Sequence, residues 1–192
     1  MSPNSKRAPR ADASRNARLL LAAARELVAE VGNEVAFDEV ARRAGVGNAT
    51  LYRHFPTRAD LLVAVYADEV ATLCRHGADL LDAQSPLDAL FSWLDEFVVH
   101  VATKRPLALA ATEGPGERRT PLFDKWHASI IASAAELVRR AQLSLRPDVT
   151  TIDVVALASG AALATDSTHA RRLVALMRTG LAAEDEQPPQ SS

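Results

Sequence analysis

The sequence predicts an all-α protein. The chain of 192 residues has 48% hydrophobic residues, mostly alanine, leucine and valine, but only 5% aromatic residues and eight glycines. This composition is typical of helical proteins. Apolar residues recur at helical spacing along most of the chain, and no segment alternates apolar and polar residues for long enough to suggest a sheet. We expect about nine helices, arranged as a three-helix head followed by a larger helical body.

The clearest local pattern is the segment 36–55, which reads AFDEVARRAGVGNATLYRHF. Its first half predicts a short helix that ends at Gly45, because glycine readily adopts the left-handed C-cap conformation. Asn48 is a suitable N-cap for a second short helix. Leu51 and Phe55 would anchor that helix on its neighbours, since a helix this short is not stable alone. Two short helices joined by a glycine-bearing turn are typical of a helix-turn-helix motif.

The second helix of this pair presents small and hydrogen-bonding side chains, which suit contacts with phosphates and base edges. Arg53 is the longest donor on the helix and the best candidate for a bidentate contact with guanine. Arg42 and Arg43 would contact the DNA backbone, although they fit a solvated surface equally well. The candidate DNA-binding residues are Arg42, Arg43, Asn48, Ala49, Thr50, Tyr52, Arg53, His54 and Arg58.

The stretch AGVGNATLYRHFPTRADLL resembles the helix-turn-helix signature of the TetR family of transcriptional regulators. Residues 50–55 match the family's Thr-Leu-Tyr-x-His-Phe recognition helix, and Arg58 and Leu61 match the features that follow it. Ala36 departs from the pattern, because the family has a phosphate-contacting threonine at this position. The match covers about twenty residues within a DNA-binding region of about sixty.

The resemblance implies a regulator that binds a palindromic operator in double-stranded DNA as a homodimer. It also implies that the protein is a repressor, which a small-molecule effector releases from the operator. The resemblance further implies that the hydroxyl groups of Thr50 and Tyr52 bind phosphates. Two other functions stay open: a regulator without an effector, and an enzyme fused to a DNA-binding head. No nucleophile–base pair or carboxylate dyad is recognisable in residues 60–183, so we expect no catalytic residues and no cofactor.

The expected domains are a flexible basic arm (1–13), the DNA-binding domain (14–57, motif about 36–55), the effector-binding and dimerisation domain (58–183) and a disordered tail (184–192). Asp12 or Ser14 would cap the first helix, which runs to about Val31, with Leu20, Ala24, Leu27, Val28 and Val31 as its apolar stripe. Later helices are expected to begin near Thr57, Ser85, Pro106, Thr120, Pro147 and Ser167.

Charge is unevenly distributed between the two ends of the chain. Residues 1–58 carry 10 basic and 6 acidic side chains, whereas the totals of 22 and 24 leave 12 basic and 18 acidic side chains for the remainder. A basic head on an acidic body suits a protein that presents one end to DNA, although a chance gradient would look the same.

The last two helices carry more apolar residues than one buried stripe requires, so each must be covered on more than one side. This pattern fits a four-helix dimer interface, the interface that the family resemblance implies, or two helices that are simply central to one core. The candidate interface residues are Val155, Ser159, Gly160, Leu173, Leu176 and Met177.

The middle of the body combines apolar and aromatic residues with a few polar ones, as small-molecule pockets do and as ordinary helical cores also do. The candidate pocket residues are Leu73, Cys74, Trp93, Phe97, His100, Trp126, His127 and Ile130. The histidines lack the spacing of a metal site, so we expect none. A single cysteine and the lack of a long apolar run predict a cytoplasmic protein without a membrane segment.

Overall fold

The computed structural model describes residues 7–32, 34–112, 119–164 and 166–183, with side chains for 12–32, 34–103, 121–164 and 166–183. These residues form eight α-helices and two short 3-10 helices, with no strand among them, so the all-α prediction is confirmed. The α-helices are α1 (Arg7–Val31), α2 (Phe37–Ala44), α3 (Asn48–His54), α4 (Arg58–Asp79), α5 (Pro86–Thr112), α6 (Arg119–Ala141), α7 (Thr151–Ala161) and α8 (Ser167–Leu181). The 3-10 helices are Leu80–Asp82 and Gln142–Ser144.

The chain divides into two compact units. The head unit comprises Met1–Asp68 with Pro106–Thr120, and the body unit comprises Glu69–Arg105 with Pro121–Ser192. The division falls inside α4, whereas the sequence placed the domain border at the beginning of that helix. A continuous helix carries no local signal for such a border, because both halves have the same periodicity.

The head unit contains a three-helix core in which α1 packs on α2 and α3, and α2 packs on α3. Three residues of the predicted stripe on α1 are buried, but Val28 is half-buried and Val31 is 56% exposed. Val31 is the last residue of α1, and Gly32 follows it with a positive φ of 70°. The side chain of Val31 therefore lies at the end of the helix and stays exposed to solvent. The core side chains are Leu20, Ala24, Leu27, Val40, Ala41 and Leu51.

The turn between α2 and α3 begins with backbone hydrogen bonds from Gly45. Gly45 adopts the predicted left-handed conformation (φ 67°, ψ 29°), and its N–H donates to the carbonyls of Ala41 and Arg42. The prediction that Asn48 is the N-cap of α3 is wrong. Gly47 is the N-cap residue and has no side-chain cap, and Asn48 is the first residue of the helix. The side chain of Asn48 donates a hydrogen bond to Asp38 instead.

Helix α1 begins at Arg7, earlier than the predicted caps at Asp12 or Ser14. Residues 7–13 are therefore helical. Pro9 does not prevent this, because proline is tolerated in the first turn of a helix, and good helix formers follow it. The rest of the predicted arm (1–6) and the predicted tail (184–192) lie outside the described residues.

Two further helix predictions were wrong, and the described chain has eight α-helices where about nine were expected. Helix α5 continues through Pro106, although a proline inside a helix removes one backbone hydrogen bond and its ring crowds the carbonyl four residues earlier. Helix α7 begins at Thr151, not near Pro147. A capping box determines this start: Thr150 Oγ1 accepts from the Asp153 N–H (3.3 Å), and the Asp153 carboxylate accepts from the Thr150 N–H (2.9 Å).

The core of the body unit is built around Trp93, which is fully buried. Its indole N–H donates to the carbonyl of Leu73 (3.1 Å), and its ring stacks on Phe97 with the centroids 5.4 Å apart. A Cβ atom built on Gly77 would lie 2.9 Å from Trp93 Nε1 and 3.5 Å from Ser133 Cβ. Glycine at this position therefore allows α4 to approach the indole closely.

Polar contacts also join the body helices. Arg140 donates to the carbonyls of Leu80 (3.2 Å) and Ala83 (2.6 Å), which links α6 to the 3-10 helix after α4. Arg178 on α8 is bonded to Asp88 on α5 and lies 5.7 Å from the centroid of the Phe91 ring. None of the described helices is both long and apolar enough to span a membrane.

Candidate nucleic-acid interface

Helix α3 is held by two buried anchors and exposes the remainder of its surface. Leu51 is fully buried and Phe55 is 8% exposed, as predicted. The side chains between and before these anchors therefore face away from the core. Of the predicted contact residues on this helix, Asn48, Ala49, Tyr52 and Arg53 are exposed, and Thr50 and His54 are half-buried.

Tyr52 packs on Phe37, the first residue of α2. The two ring centroids lie 5.2 Å apart with an interplanar angle of 54°, a tilted arrangement that aromatic pairs favour. Tyr52 remains 51% exposed. The contact restricts the tyrosine ring, so a contact of its hydroxyl with DNA would need little further ordering. The sequence analysis did not identify Phe37, although an aromatic residue at the beginning of α2 was a visible signal.

Asn48 and Asp38 connect the first turn of α3 to α2. Asn48 Nδ2 donates to Asp38 Oδ1 at 2.8 Å. The amide keeps its oxygen and one N–H for other partners, because an asparagine side chain has two donors and one acceptor oxygen. Asp38 was not predicted to have a role at this site, since the two residues are ten positions apart and meet only through the turn.

The arginines of the head differ in whether they form an ion pair with a carboxylate. Arg53 Nη2 donates to Thr50 Oγ1 (3.3 Å), and no carboxylate lies within ion-pair distance of it among the described residues. Arg42 forms a bidentate pair with Glu39, with hydrogen bonds of 2.7 and 2.6 Å. The hydrogen bonds from Arg42 lower the pKa of the Glu39 carboxyl, which therefore stays ionised at neutral pH.

Arg43 and Arg58 also have carboxylate partners. Arg43 lies 2.6 Å from Glu30 and 3.7 Å from Glu39, and its hydrogen bond lowers the pKa of Glu30. Arg58 lies 3.4 Å from Glu34. Helical spacing would have suggested the contacts of Glu39 with both arginines of α2. The contacts of Glu30 and Glu34 depend on how the elements of the head meet, so no sequence spacing indicates them.

The residues of the predicted effector pocket differ in how deeply they are buried. Five of its eight residues are buried apolar side chains of the body, His100 is also buried, Cys74 is half-buried, and His127 is exposed and packs on Phe123 (4.3 Å between centroids). An open cleft of about 390 Å³ lies between α4 and α5, within the usual size range of ligand sites. Its lining contains only Leu73 and His100 of the predicted set, together with Glu69, Thr72, His76, Glu96, Val99 and Thr103.

The sequence analysis did not predict acidic residues in this cleft, because Glu69 and Glu96 lie on different helices. Spacing along one helix cannot indicate which residues a second helix brings opposite. Within the part of the chain that the structure describes, no group of three or more His, Cys, Asp or Glu residues could hold a metal ion.

Helices α7 and α8 pack on each other through a narrow stripe and leave apolar side chains in solvent. The buried residues are Val154, Ala158, Ala161, Ala170 and Val174. Of the predicted interface residues, Leu176 is 60% exposed, Gly160 is exposed, and Val155, Ser159, Leu173 and Met177 are half-buried. The two helices are therefore not wholly internal to one core.

A short helix α2, a glycine-closed turn and an exposed recognition helix α3 define a helix-turn-helix protein of the class of DNA-binding regulators. Two family models match the chain: "Bacterial regulatory proteins, tetR family" over residues 20–65, and "Transcriptional regulator SbtR-like, C-terminal domain" over residues 85–183. The chain belongs to the TetR family of transcriptional regulators.

Solved structures of TetR regulators are similar over nearly the whole chain. One from Mycobacterium vanbaalenii is 35% identical, with a TM-score of 0.73, and covers 91% of this chain and 99% of its own. One from Streptomyces coelicolor is 31% identical, with a TM-score of 0.74, and the match covers 88% of this chain and 99% of that regulator. The regulator FadR of Bacillus subtilis, solved in complex with stearoyl-CoA, shares the fold at 13% identity with a TM-score of 0.59, covering 85% and 98%. None of the curated proteins matches the chain.

Proposed function

We propose that this protein is a homodimeric repressor that binds a palindromic operator and is released from it by a small-molecule effector. The observation that carries this proposal is the exposed face of α3, where Arg53 has no described carboxylate partner and Tyr52 is half exposed beside it. In a helix-turn-helix protein, this face enters the major groove. Two copies related by a two-fold axis would then read two half-sites about one helical turn apart or more.

Within this proposal the side chains divide by the part of DNA that they contact. Arg53 reads a guanine, because its guanidinium can donate to two acceptor atoms on that base. Thr50 and Tyr52 donate hydroxyl hydrogens to phosphates. Arg42, Arg43 and Arg58 add contacts with the DNA backbone after exchanging their carboxylate partners for phosphates.

Selection from a random pool of double-stranded DNA tests the proposal. We expect the purified protein to enrich an inverted repeat, and we expect log Kobs for that repeat to fall linearly with log salt concentration. Recovery of DNA without any common motif would contradict sequence-specific regulation. Binding that does not respond to salt would contradict the basic contact set.

The proposed dimer interface is the exposed apolar surface of α7 and α8. We expect Leu176→Glu to raise the dimer dissociation constant by about 100-fold or more, because a carboxylate would be buried without a partner. Analytical ultracentrifugation over a dilution series measures the change. Leu143→Glu is the matched control: Leu143 is 98% exposed outside this surface, so its substitution should leave association unchanged. Unaltered association of Leu176→Glu would exclude this residue from the interface.

The proposed effector site is the cleft between α4 and α5. A ligand that binds better to the conformation unsuited to DNA would shift the population away from the operator. The complex of FadR with stearoyl-CoA supports a ligand site in this fold, without indicating which ligand binds here. A regulator controlled without an effector is the alternative, and it predicts that no small molecule releases the DNA.

We expect Val99→Trp to keep operator binding but lose release by an effector, because the indole would occupy the cleft that Val99 lines. A metabolite library screened for release of fluorescently labelled operator provides the effector for this comparison. The control is Ile131→Trp, which adds the same side chain at a 38% exposed position outside the lining of this cleft. Normal release from Val99→Trp would place the effector elsewhere.

A further inference from the structure

Glu39 lies between the two arginines of α2. Its carboxylate accepts two hydrogen bonds from Arg42 (2.7 and 2.6 Å), and it lies 3.7 Å from Arg43. The side chain of Glu39 is 33% exposed, whereas that of Arg42 is 73% exposed. The carboxylate is thus partly enclosed, and the guanidinium it holds is at the surface where a polyanion would approach.

A carboxylate and a phosphate compete for the same donors of an arginine. Glu39 accepts from Nε and Nη2 of Arg42, so a phosphate can use this edge of the planar guanidinium only by displacing the carboxylate. The opposite edge stays available, but beside a charge that Glu39 already neutralises. Exposed ion pairs contribute only about 0–1 kcal/mol to stability. Arg42 can therefore exchange Glu39 for a phosphate, but breaking the ion pair lowers the net gain in binding free energy. Because the Glu39 carboxyl is ionised at neutral pH, the competitor is always present.

We propose that Glu39 is a specificity-determining residue that restrains Arg42 and thereby weakens binding to non-operator DNA; Arg43 is held chiefly by Glu30. This inference rests on the proposed DNA-binding surface. Non-specific binding depends almost wholly on phosphate contacts, so it loses most when a phosphate-binding arginine is neutralised. Operator binding adds the base contact of Arg53, which has no described carboxylate partner. The restraint therefore increases the ratio of specific to non-specific affinity.

The variant Glu39→Gln removes the charge but keeps the length of the side chain and a good helix former. We expect its affinity for an unrelated duplex to rise about threefold or more at 200 mM salt, and the slope of log Kobs against log salt to steepen by about 0.9 for each phosphate gained. Affinity for the selected operator should change less, so the specificity ratio falls. Dissociation constants for both duplexes between 50 and 200 mM salt measure these quantities.

Glu136→Gln is the matched control, because Glu136 forms the same pair with Arg139 three residues later on α6 and its pKa is lowered in the same way. We expect this variant to bind both duplexes as the unaltered protein does. A change equal to that of Glu39→Gln would show a general effect of net charge and would overturn the inference.

A second comparison separates release of Arg42 from simple loss of a repelling charge near DNA. In a protein that already carries Arg42→Gln, the additional change Glu39→Gln should no longer raise non-specific affinity. A persistent rise there would overturn the inference, as would unchanged or weaker non-specific binding of the single variant Glu39→Gln. If the unaltered protein bound no duplex at any salt concentration, the DNA-binding surface itself would be refuted, a result distinct from each of these.

Discussion

Replacement of Arg53 by alanine should lower the affinity for the operator by about 10- to 100-fold. A bidentate contact between arginine and guanine discriminates by about 1–3 kcal/mol, and 1.4 kcal/mol corresponds to a factor of ten. The residue is well placed for this role, since it lies on the exposed face of α3 and its described hydrogen bond is to a neutral hydroxyl, that of Thr50. Affinity for unrelated DNA should fall much less, so electrophoretic titrations with both duplexes separate base reading from phosphate binding.

Arg75→Ala is a close control for Arg53→Ala. Arg75 donates to the hydroxyl of Thr72, three residues earlier on α4, as Arg53 donates to Thr50 on α3. The control removes the same charge and the same type of hydrogen bond at a position without a proposed DNA contact, so operator binding should persist. Operator affinity that survives Arg53→Ala, with helicity intact, would remove Arg53 from the reading surface.

Replacement of Gly77 by alanine should destabilise the protein although alanine is the better helix former. The new Cβ would lie 2.9 Å from Nε1 and 3.2 Å from Cδ1 of Trp93, a buried ring that cannot move without disturbing its hydrogen bond to Leu73. Overpacking of this kind costs about 1–3 kcal/mol, partly offset by about 0.5–1 kcal/mol of helix propensity. We expect a net loss of about 1–2 kcal/mol and a Tm lower by about 2–8 °C in thermal unfolding followed by circular dichroism.

Gly180→Ala provides the comparison for Gly77→Ala. Gly180 also lies in a helix, but a Cβ atom there would meet nothing within 4 Å. Its substitution should be neutral or slightly stabilising, because only the helix-propensity gain applies. If Gly77→Ala raised the Tm by as much as Gly180→Ala, the indole would have to be able to shift, and the close approach would not be a constraint.

Elements that neighbouring residues specify could be predicted from the sequence. Gly45 ends α2 in the predicted left-handed conformation. Thr57 and Ser85 accept hydrogen bonds from backbone N–H groups three residues later, as the predicted starts of α4 and α5 require. The recognition helix could be located for the same reason, because its two anchors and its outward positions follow from helical spacing alone.

Features that depend on distant residues could not be predicted in this way. Asn48 is a good N-cap in isolation, but the meeting of α2 and α3 gives its side chain a different partner in Asp38. Helix α5 passes Pro106 although the local preference is for a break. The partners of Arg43 and Arg58, and the acidic lining of the cleft, likewise depend on which elements pack together. Local patterns thus predicted the helix-turn-helix, while tertiary contacts determined the charge environment around it.

The aromatic residues make the two units separately observable by optical spectroscopy. Both tryptophans of the chain, Trp93 and Trp126, are buried in the body unit, and both tyrosines, Tyr52 and Tyr66, belong to the head unit. Indole emission excited at the red edge therefore reports only on the body, and its wavelength will follow exposure of these two rings to water. The tyrosine contribution to the absorbance, separated from the stronger tryptophan contribution, reports on the head, so one sample can reveal which unit loses its structure first.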